Sequence, residues 1–254
     1  MRPTAPDTVA SVIVSRYRTP VMAPAFWQHL TVRTRQLVAL NIIAVIGGGL
    51  ALDARFGWPG QIAAIFWTLC VFIWLYRLGT TTERRLLLLC TAISAAGEAV
   101  LSLVWGLYDY QFRNVPLFVP PGHALLMTLG LLSAPLLNRP AVAAISFAAA
   151  TWGVYACWAG FDRFGAALFG VYAFCMIFGR ARALYAVMFM LALTMELYGT
   201  ALGNWAWAAE TRWLGLSQSN PPFSAGAFYC LLDLLVLAAL AALPRPVAAA
   251  SSAQ

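Results

Sequence analysis

The chain has 254 residues, of which 62% are hydrophobic and only 10% are charged, and its mean hydropathy is +0.77. This composition excludes a water-soluble domain, since apolar runs of about 17–25 residues, the length that crosses a bilayer, recur along the sequence. The net charge of +7 does not indicate a nucleic-acid partner, because the arginines are scattered in short loops and form no basic patch. We therefore predict an all-α polytopic membrane protein surrounded by membrane lipids.

The two ends of the chain differ from its apolar centre. Residues 1–35 are predicted to form a cytoplasmic or interfacial segment, because arginines occur there among Val, Ile, Phe and Trp. An unstructured leader is an open alternative. No uninterrupted apolar region is followed there by a small-residue cleavage site, so no cleavable signal peptide is predicted. Residues 244–254 are predicted to form a disordered cytoplasmic tail.

A single transmembrane domain is predicted over residues 36–243. Glycine, proline and charged residues interrupt the apolar runs and divide them into about eight helices. The predicted helices cover residues 36–53, 61–78, 86–107, 121–137, 140–160, 164–179, 183–204 and 223–243.

The arginines predict the orientation of these helices. With the N-terminus in the cytoplasm, twelve of the 16 basic residues fall on the cytoplasmic side and four on the other side. This asymmetry agrees with the excess of arginine that cytoplasmic loops carry. We therefore expect a multi-pass protein of the bacterial inner membrane, with both termini in the cytoplasm.

Three of the nine acidic residues lie inside apolar runs, and they are the most informative residues in the chain. Glu98 lies in the third predicted helix, Glu196 in the seventh and Asp233 in the eighth. A charged side chain in mid-membrane costs roughly 2.5–3.5 kcal/mol on insertion scales, so such residues are candidates for function. A hydrogen bond to a neighbouring helix is the alternative role for each.

The segments that follow the two glutamates resemble each other. In each, an aromatic and glycine-containing stretch is followed by a loop with asparagine, then by a Pro-Pro pair that opens the next helix. Glu98 precedes its Pro-Pro pair by 22 residues and Glu196 by 25. The pattern predicts two parallel four-helix repeats, covering residues 36–137 and 140–243, that bring both glutamates to one cavity.

This cavity would suit acid–base chemistry. A carboxylic acid in an apolar site favours its neutral form, and two neighbouring acids tend to share one proton. Aromatic faces stabilise a cation, although Trp and Tyr at helix ends also form the belt at the membrane interface. The candidate catalytic residues are Glu98, Glu196, Asp233 and His123. The candidate substrate-binding residues are Trp105, Tyr108, Tyr110, Asn114, Tyr198, Asn204 and Trp205; Trp207 and Tyr229 belong to the same aromatic set.

Several other chemistries are excluded. The chain has no lysine, which excludes a Schiff base, and only two histidines, which excludes a histidine-box di-iron site. Its five cysteines show no CxxC spacing, so neither zinc nor a redox dithiol is indicated. Carboxylate clusters that would hold magnesium are also absent from the sequence. We therefore predict neither a metal nor a cofactor.

A short segment carries a mid-helix acid at Glu98, then WGLYDY, then NVPLFVPP. It resembles the integral-membrane carotenoid hydratase family (the bisanhydrobacterioruberin hydratase type), which has a mid-helix acid, an F-G-x-Y-x-Y-like element and V-P-L-x-x-P. The resemblance covers about 30 of the 254 residues, and it implies addition of water to the end double bond of a long polyene, with Glu98 as proton donor. The matching residues are Glu98, Trp105 (in place of Phe), Gly106, Tyr108, Tyr110, Val115, Pro116, Leu117 and Pro120.

The sequence therefore predicts an integral membrane enzyme with cofactor-independent acid–base chemistry. The reaction would be hydration, cyclisation or isomerisation of a C=C bond in a hydrophobic isoprenoid or lipid substrate. Glu98 is the predicted general acid and Glu196 its partner base, while Asp233 and His123 would tune protonation. The alternative is a proton-coupled transporter or lipid-binding protein that uses the same carboxylates. A structural subunit of a larger complex is a third possibility.

Overall fold

The computed structural model describes residues 26–244, and within this range the chain forms eight α-helices. Predictions for the first 25 residues, and for nearly all of the C-terminal tail, concern residues outside that range. The helices are α1 (Val32–Phe56), α2 (Trp58–Leu78), α3 (Thr81–Glu98), α4 (Val119–Ser133), α5 (Arg139–Ala159), α6 (Arg163–Phe178), α7 (Arg182–Leu202) and α8 (Gly226–Ala242).

Six of the helices in the described range are long and apolar enough to cross a membrane. These are α1 to α5 and α7, with α3 and α4 extended by the irregular turns described below. The remaining two, α6 and α8, are apolar but shorter, with 16 and 17 residues. The chain is therefore an all-α, multi-pass membrane protein. Each predicted helix has a counterpart, and α1 begins at Val32, four residues before the predicted start.

Local sequence signals account for the helix ends. Thr80 and Glu83 form a capping box at the start of α3, with Thr80 bonded to the Glu83 backbone and Glu83 to the Thr80 backbone. Asn138 caps α5 through the Ala141 amide. Gly203 ends α7 with φ of 82°, a left-handed conformation that favours glycine.

The α-helical part of α3 ends at Glu98, and the chain continues directly as a π-helix over Ala99–Val104. π-Helical segments are rare and are frequent at functional sites. Helix α4 similarly continues as a short 3-10 turn over Ala134–Leu136. The predicted third helix thus contains an irregular turn directly after its buried acid.

Four helices form the centre of the bundle. Helix α3 packs against α4 and α8, and α7 packs against the same two helices. Helices α1 and α2 lie on one side of this ring and pack on α4, while α5 and α6 lie on the other side, against α7. Helix α6 also packs on α8. The ring therefore contains the helices that carry all the predicted acids.

Two short strands close one end of the ring. Strand β1 (Tyr108–Tyr110) follows α3, and strand β2 (Trp205–Trp207) follows α7. They pair antiparallel, with Tyr108 opposite Trp207 and Tyr110 opposite Trp205. We call this the sheet end of the bundle.

The long loops after the two strands fold back into the bundle. The Ser94 hydroxyl, one turn before Glu98, donates to the carbonyl of Pro120 near the start of α4 (3.2 Å). Gly226, at the start of α8, packs on the backbone of Phe189, seven residues before Glu196, and a Cβ there would lie 2.5 Å from the Phe189 carbonyl oxygen. Both α4 and α8 therefore begin inside the bundle, at or beyond the level of the glutamates.

Candidate functional site

Glu98 is held by two tyrosines of β1. Its side chain is buried, and its Oε2 accepts hydrogen bonds from the hydroxyls of Tyr108 (2.7 Å) and Tyr110 (2.8 Å). Burial raises the pKa of both phenols well above the ordinary value, so both stay protonated and donate. The alternation of a strand points these two side chains to the same face, which explains the Y-x-Y spacing.

Glu196 is held in the same manner by two tryptophans of β2. Its Oε2 accepts from the indole Nε1 of Trp205 (2.8 Å) and of Trp207 (3.1 Å). Gly199, one turn further along α7, leaves the space that the Trp205 ring occupies, since a Cβ at this position would overlap the indole. The W-x-W spacing thus has the same geometric cause as the tyrosine pair.

The second oxygen of each glutamate contacts a residue near the start of α4 or α8. Glu98 Oε1 lies 3.4 Å from His123 Nε2, and Glu196 Oε1 accepts from the Tyr229 hydroxyl at 3.1 Å. The His123 and Tyr229 rings stack on each other, with centroids 4.9 Å apart and planes 8° from parallel. The two carboxyl groups therefore belong to one continuous cluster.

The tautomer of His123 follows from its other nitrogen. His123 Nδ1 lies 3.0 Å from the Val119 carbonyl oxygen, which can only accept a hydrogen bond, so Nδ1 carries the proton. In the neutral imidazole the free lone pair is on Nε2 and faces Glu98. One proton can therefore lie on Glu98 Oε1 or on His123 Nε2.

Two cavities meet at this cluster. The smaller one lies against α1, α2 and α4, and the larger one lies between α3 and α8. The residues that line both cavities are Glu98, Tyr108, His123, Glu196 and Tyr229. Apart from this shared layer, the walls are almost entirely apolar. The side chains of both glutamates line both cavities, so water or an apolar molecule in either cavity would lie beside them.

The structure brings together part of the predicted set. The glutamates, His123, Tyr108, Tyr110 and Trp205 form the cluster, and Trp207 and Tyr229 complete it as direct donors to Glu196. These last two were visible in the sequence only as members of the aromatic set. In both Y-x-Y and W-x-W the two aromatic residues are two positions apart. This shared pattern, which follows each glutamate, is the signal that would have assigned Trp207.

The two predicted asparagines lie elsewhere. Asn204 is buried and donates to Asp53 Oδ2 (2.8 Å) and to the Leu50 carbonyl, and Asn114 donates to Gln61 (3.2 Å). Gln61 in turn donates to Asp53 Oδ1 (3.2 Å). Both asparagines thus tie the ends of the strands to the turn between α1 and α2, instead of lining a cavity.

Three other predicted residues also lie outside both cavities. Trp105 stacks on Trp213 (4.9 Å between ring centroids), and Tyr198 is 40% exposed, with its hydroxyl donating to the Gly47 carbonyl. Asp233 is fully buried, one turn beyond Tyr229 on α8, and neither carboxyl oxygen has a hydrogen-bond partner among the described residues. The structure therefore separates Asp233 from the two glutamates.

Asp162 is a buried aspartate outside the predicted set of site residues, and it has a clear structural role. Asp162, which caps α6, accepts from the amides of Gly165, Ser219 and Phe223. It thereby holds the loop before α8 against the turn between α5 and α6. Asp53 likewise accepts hydrogen bonds, and it holds the ends of the two strands at the turn between α1 and α2.

Within residues 26–244, no group of three or more His, Cys, Asp or Glu side chains is arranged to hold a metal ion. Comparison of the chain with protein-family models, with curated proteins and with solved structures finds no match. The geometry of the cluster and its two cavities is therefore the basis for assigning a function.

Proposed function

We propose that the protein is an integral membrane enzyme that adds a proton to, and removes a proton from, a hydrophobic isoprenoid or lipid substrate. One observation carries this proposal: two glutamates, each held through one oxygen by an aromatic pair, line the same two largely apolar cavities. An acid and a base beside an apolar cavity suit proton transfer to carbon. The reaction would be hydration, cyclisation or isomerisation of a C=C bond.

The donors around each glutamate support different roles for the two. An indole N–H can only donate, so Trp205 and Trp207 favour the carboxylate form of Glu196. Glu98 instead has phenols, which also accept, and its free oxygen faces the lone pair of His123. Glu98 is therefore the proposed general acid and Glu196 the proposed base.

The proposed reaction uses both groups in order. Glu98 donates its proton to one carbon of a C=C bond; the π electrons form the new C–H bond and leave a carbocation on the adjacent carbon. The faces of Tyr108 and Tyr229, which line both cavities, would stabilise this cation. In hydration, water then forms a C–O bond and Glu196 accepts its proton. In isomerisation or cyclisation, Glu196 removes a proton from a neighbouring carbon.

The resemblance to the carotenoid hydratase family supports hydration among these reactions, as a proposal. Glu98, Tyr108 and Tyr110 are matched residues of that resemblance, and both tyrosines donate a hydrogen bond to Glu98. Trp105, another matched residue, lies outside both cavities and stacks on Trp213.

The proposed membrane arrangement has eight crossings in two halves. The packing of the central ring supports it, because α3 relates to α4 and α8 as α7 relates to α8 and α4. The antiparallel pairing of β1 with β2 is also what a two-fold axis along the membrane normal would produce. The excess of arginine at one end supports cytoplasmic termini and a bacterial inner membrane.

The position of the cavities favours an enzyme over a transporter. Their walls come from α1, α3 and α7 from Val45, Ile93 and Met195 onward, and from Thr68 of α2. They also include α4 as far as Leu126 and α8 as far as Leu235. A transporter needs access to its site from both faces of the membrane. Neither cavity is lined by the first residues of α1, α3 or α7, which lie at the opposite end.

Single substitutions of the two glutamates test the proposal. Glu98→Gln and Glu196→Gln keep the shape of each side chain but remove its proton transfer, so each is expected to lower turnover about 10²–10⁴-fold. The measurement is conversion of a long acyclic polyene in a producing host, followed by chromatography and mass spectrometry. Asp109→Asn is the matched control, since Asp109 is an exposed acid between the two tyrosines. Full activity of either glutamine variant would end the proposal.

A further inference from the structure

We propose that the substrate is a long, uncharged hydrocarbon chain that occupies both cavities at once, so that the reacting bond lies in the interior of the chain. This inference rests on the proposed function and specifies its substrate. Reaction in the interior of a chain differs from reaction at the end of a polyene, because a chain whose end lies at the glutamates would occupy only one cavity.

The arrangement of the two cavities supports this inference. The smaller cavity extends from the cluster towards α1, where Val45, Ile46 and Leu50 line it. The larger cavity extends from the same cluster along α3 and α8, where Leu101 and Leu232 line it. The five shared side chains form the partition between the cavities. A chain that occupies both cavities must therefore pass between these side chains, beside the acid and the base.

The chemistry of the walls defines the substrate class. Outside the shared layer, the cavities are lined by apolar and aromatic residues together with two hydroxyl side chains, Thr68 in the smaller and Ser94 in the larger. No arginine, and no acid apart from the two glutamates, lines either cavity. Phosphate and diphosphate groups need such cationic partners. The ligand is therefore a neutral hydrocarbon chain, and not a phospholipid or a prenyl diphosphate.

The larger cavity also has a route to the lipid phase. Val100 on α3 and Leu235 on α8 line this cavity, yet they are 48% and 45% exposed at the surface of the bundle. Both helices belong to the membrane-embedded ring. A chain dissolved in the bilayer can thus enter sideways between α3 and α8, pass the glutamates and extend into the smaller cavity.

Two glycines allow each cavity to be blocked separately. Gly122 on α4 lines the smaller cavity and Gly97 on α3 lines the larger one, and a Cβ at either position would meet nothing within 4 Å. Gly122→Leu and Gly97→Leu are therefore expected to fill one cavity each. Gly170→Leu is the matched control, because Gly170 on α6 is exposed and equally free of neighbours.

The experiment measures binding apart from turnover. Each glycine variant is made in a Glu98→Gln background, in a host that makes a long acyclic polyene hydrocarbon, and the polyene that co-purifies is measured by its visible absorbance per protein. We expect Gly122→Leu and Gly97→Leu each to remove most of the bound polyene, and Gly170→Leu to leave it unchanged. Size-exclusion chromatography and a melting curve establish that each variant is folded.

The outcomes separate the two proposals. Loss of binding in only one cavity variant would mean that the chain ends at the glutamates, and retention of binding in both would mean that the ligand lies elsewhere; each result overturns this inference. The position of the new bond in the wild-type product, read by mass fragmentation, must also be interior. If Glu98→Gln itself turned over normally, the proposed function would fail while the binding result stood.

Discussion

The cluster is asymmetric at the level of single residues, and this asymmetry can be tested. Two phenols hold Glu98, whereas two indoles hold Glu196 at 2.8 and 3.1 Å. Trp205→Phe replaces the indole by a smaller ring and removes one N–H donor to a charged group, which is worth roughly 1.5–3 kcal/mol. We expect about a tenfold to hundredfold loss of turnover, with a lower melting temperature because the smaller ring leaves space beside Gly199. Trp158→Phe, the same change at an exposed tryptophan of α5 that lines neither cavity, is the control.

A second prediction at this scale concerns Asp233. It is fully buried but shares no hydrogen bond with the cluster and lines neither cavity. Sites without shared partners act independently to within about 0.5 kcal/mol. Asp233→Asn is therefore expected to change turnover by less than about threefold, measured beside Glu196→Gln in the same assay. A loss as large as that of the glutamate variant would return Asp233 to the catalytic set.

At the scale of the helices, Gly199 controls the position of Trp205. A Cβ at Gly199 would overlap the indole, so Gly199→Ala must push the ring away from Glu196. Overpacking of this kind costs about 1–3 kcal/mol, and we expect a lower melting temperature together with lower turnover. Gly170→Ala, at a helical glycine of α6 that lines neither cavity, meets no neighbour and is expected to stabilise α6 by up to about 1 kcal/mol. Equal effects of the two variants would contradict this account of Gly199.

The π-helix after Glu98 accounts for a difference of one residue between the two halves. Glu98 precedes Tyr108 by ten residues, whereas Glu196 precedes Trp205 by nine, and both aromatic side chains reach their glutamate. The extra residue is accommodated by the π-helix over Ala99–Val104, while α7 stays α-helical to Leu202. This agrees with an insertion into one of two related halves.

A deletion tests this interpretation. Removal of Leu103, an exposed residue of the π-helix, is expected to convert Ala99–Val104 to α-helix and to leave the sheet and the site intact. Removal of Ala201, an exposed residue at the matching place in α7, is expected to abolish turnover, because α7 has no extra residue to lose. Melting curves and the turnover assay compare the two. If both deletions were equally damaging, the π-helix would not be an insertion.

How much of this structure the sequence predicts depends on the range of the interactions. The helices and the burial of Glu98 and Glu196 follow from local apolar length and from the cost of a charge in lipid. The pairing of β1 with β2 could not be predicted, because each strand has only three residues and they lie about 100 residues apart. The hydrogen bond of Asn204 to Asp53 could not be predicted for the same reason, because Asp53 lies on another helix.

At the scale of the whole molecule, the shorter helices decide how many times the chain crosses the membrane. Helix α6 has 16 residues, which span about 24 Å at 1.5 Å per residue, less than the ~30 Å of hydrocarbon in a typical bilayer. A shorter helix can still cross by local thinning of the bilayer, at a modest cost. The arginines flank it as a crossing helix requires, with Arg163 at one end and Arg180 and Arg182 just beyond the other.

Fusions of alkaline phosphatase, which is active only outside the cytoplasm, test this crossing. A fusion after Arg163 is expected to be active and a fusion after Arg180 to be inactive, because α6 would return the chain to the cytoplasm. Fusions after Arg212 and after Pro244 bracket α8, and they are expected to be active and inactive in that order. A fusion after Arg77 is the inactive control, since α1 and α2 are both long enough to cross. Equal activity on both sides of α6 would remove one crossing, and would place the second glutamate's half in the opposite orientation to the first. The two-fold relation between the halves would then be lost, and so would the pairing of β1 with β2 on which the contacts of both glutamates depend.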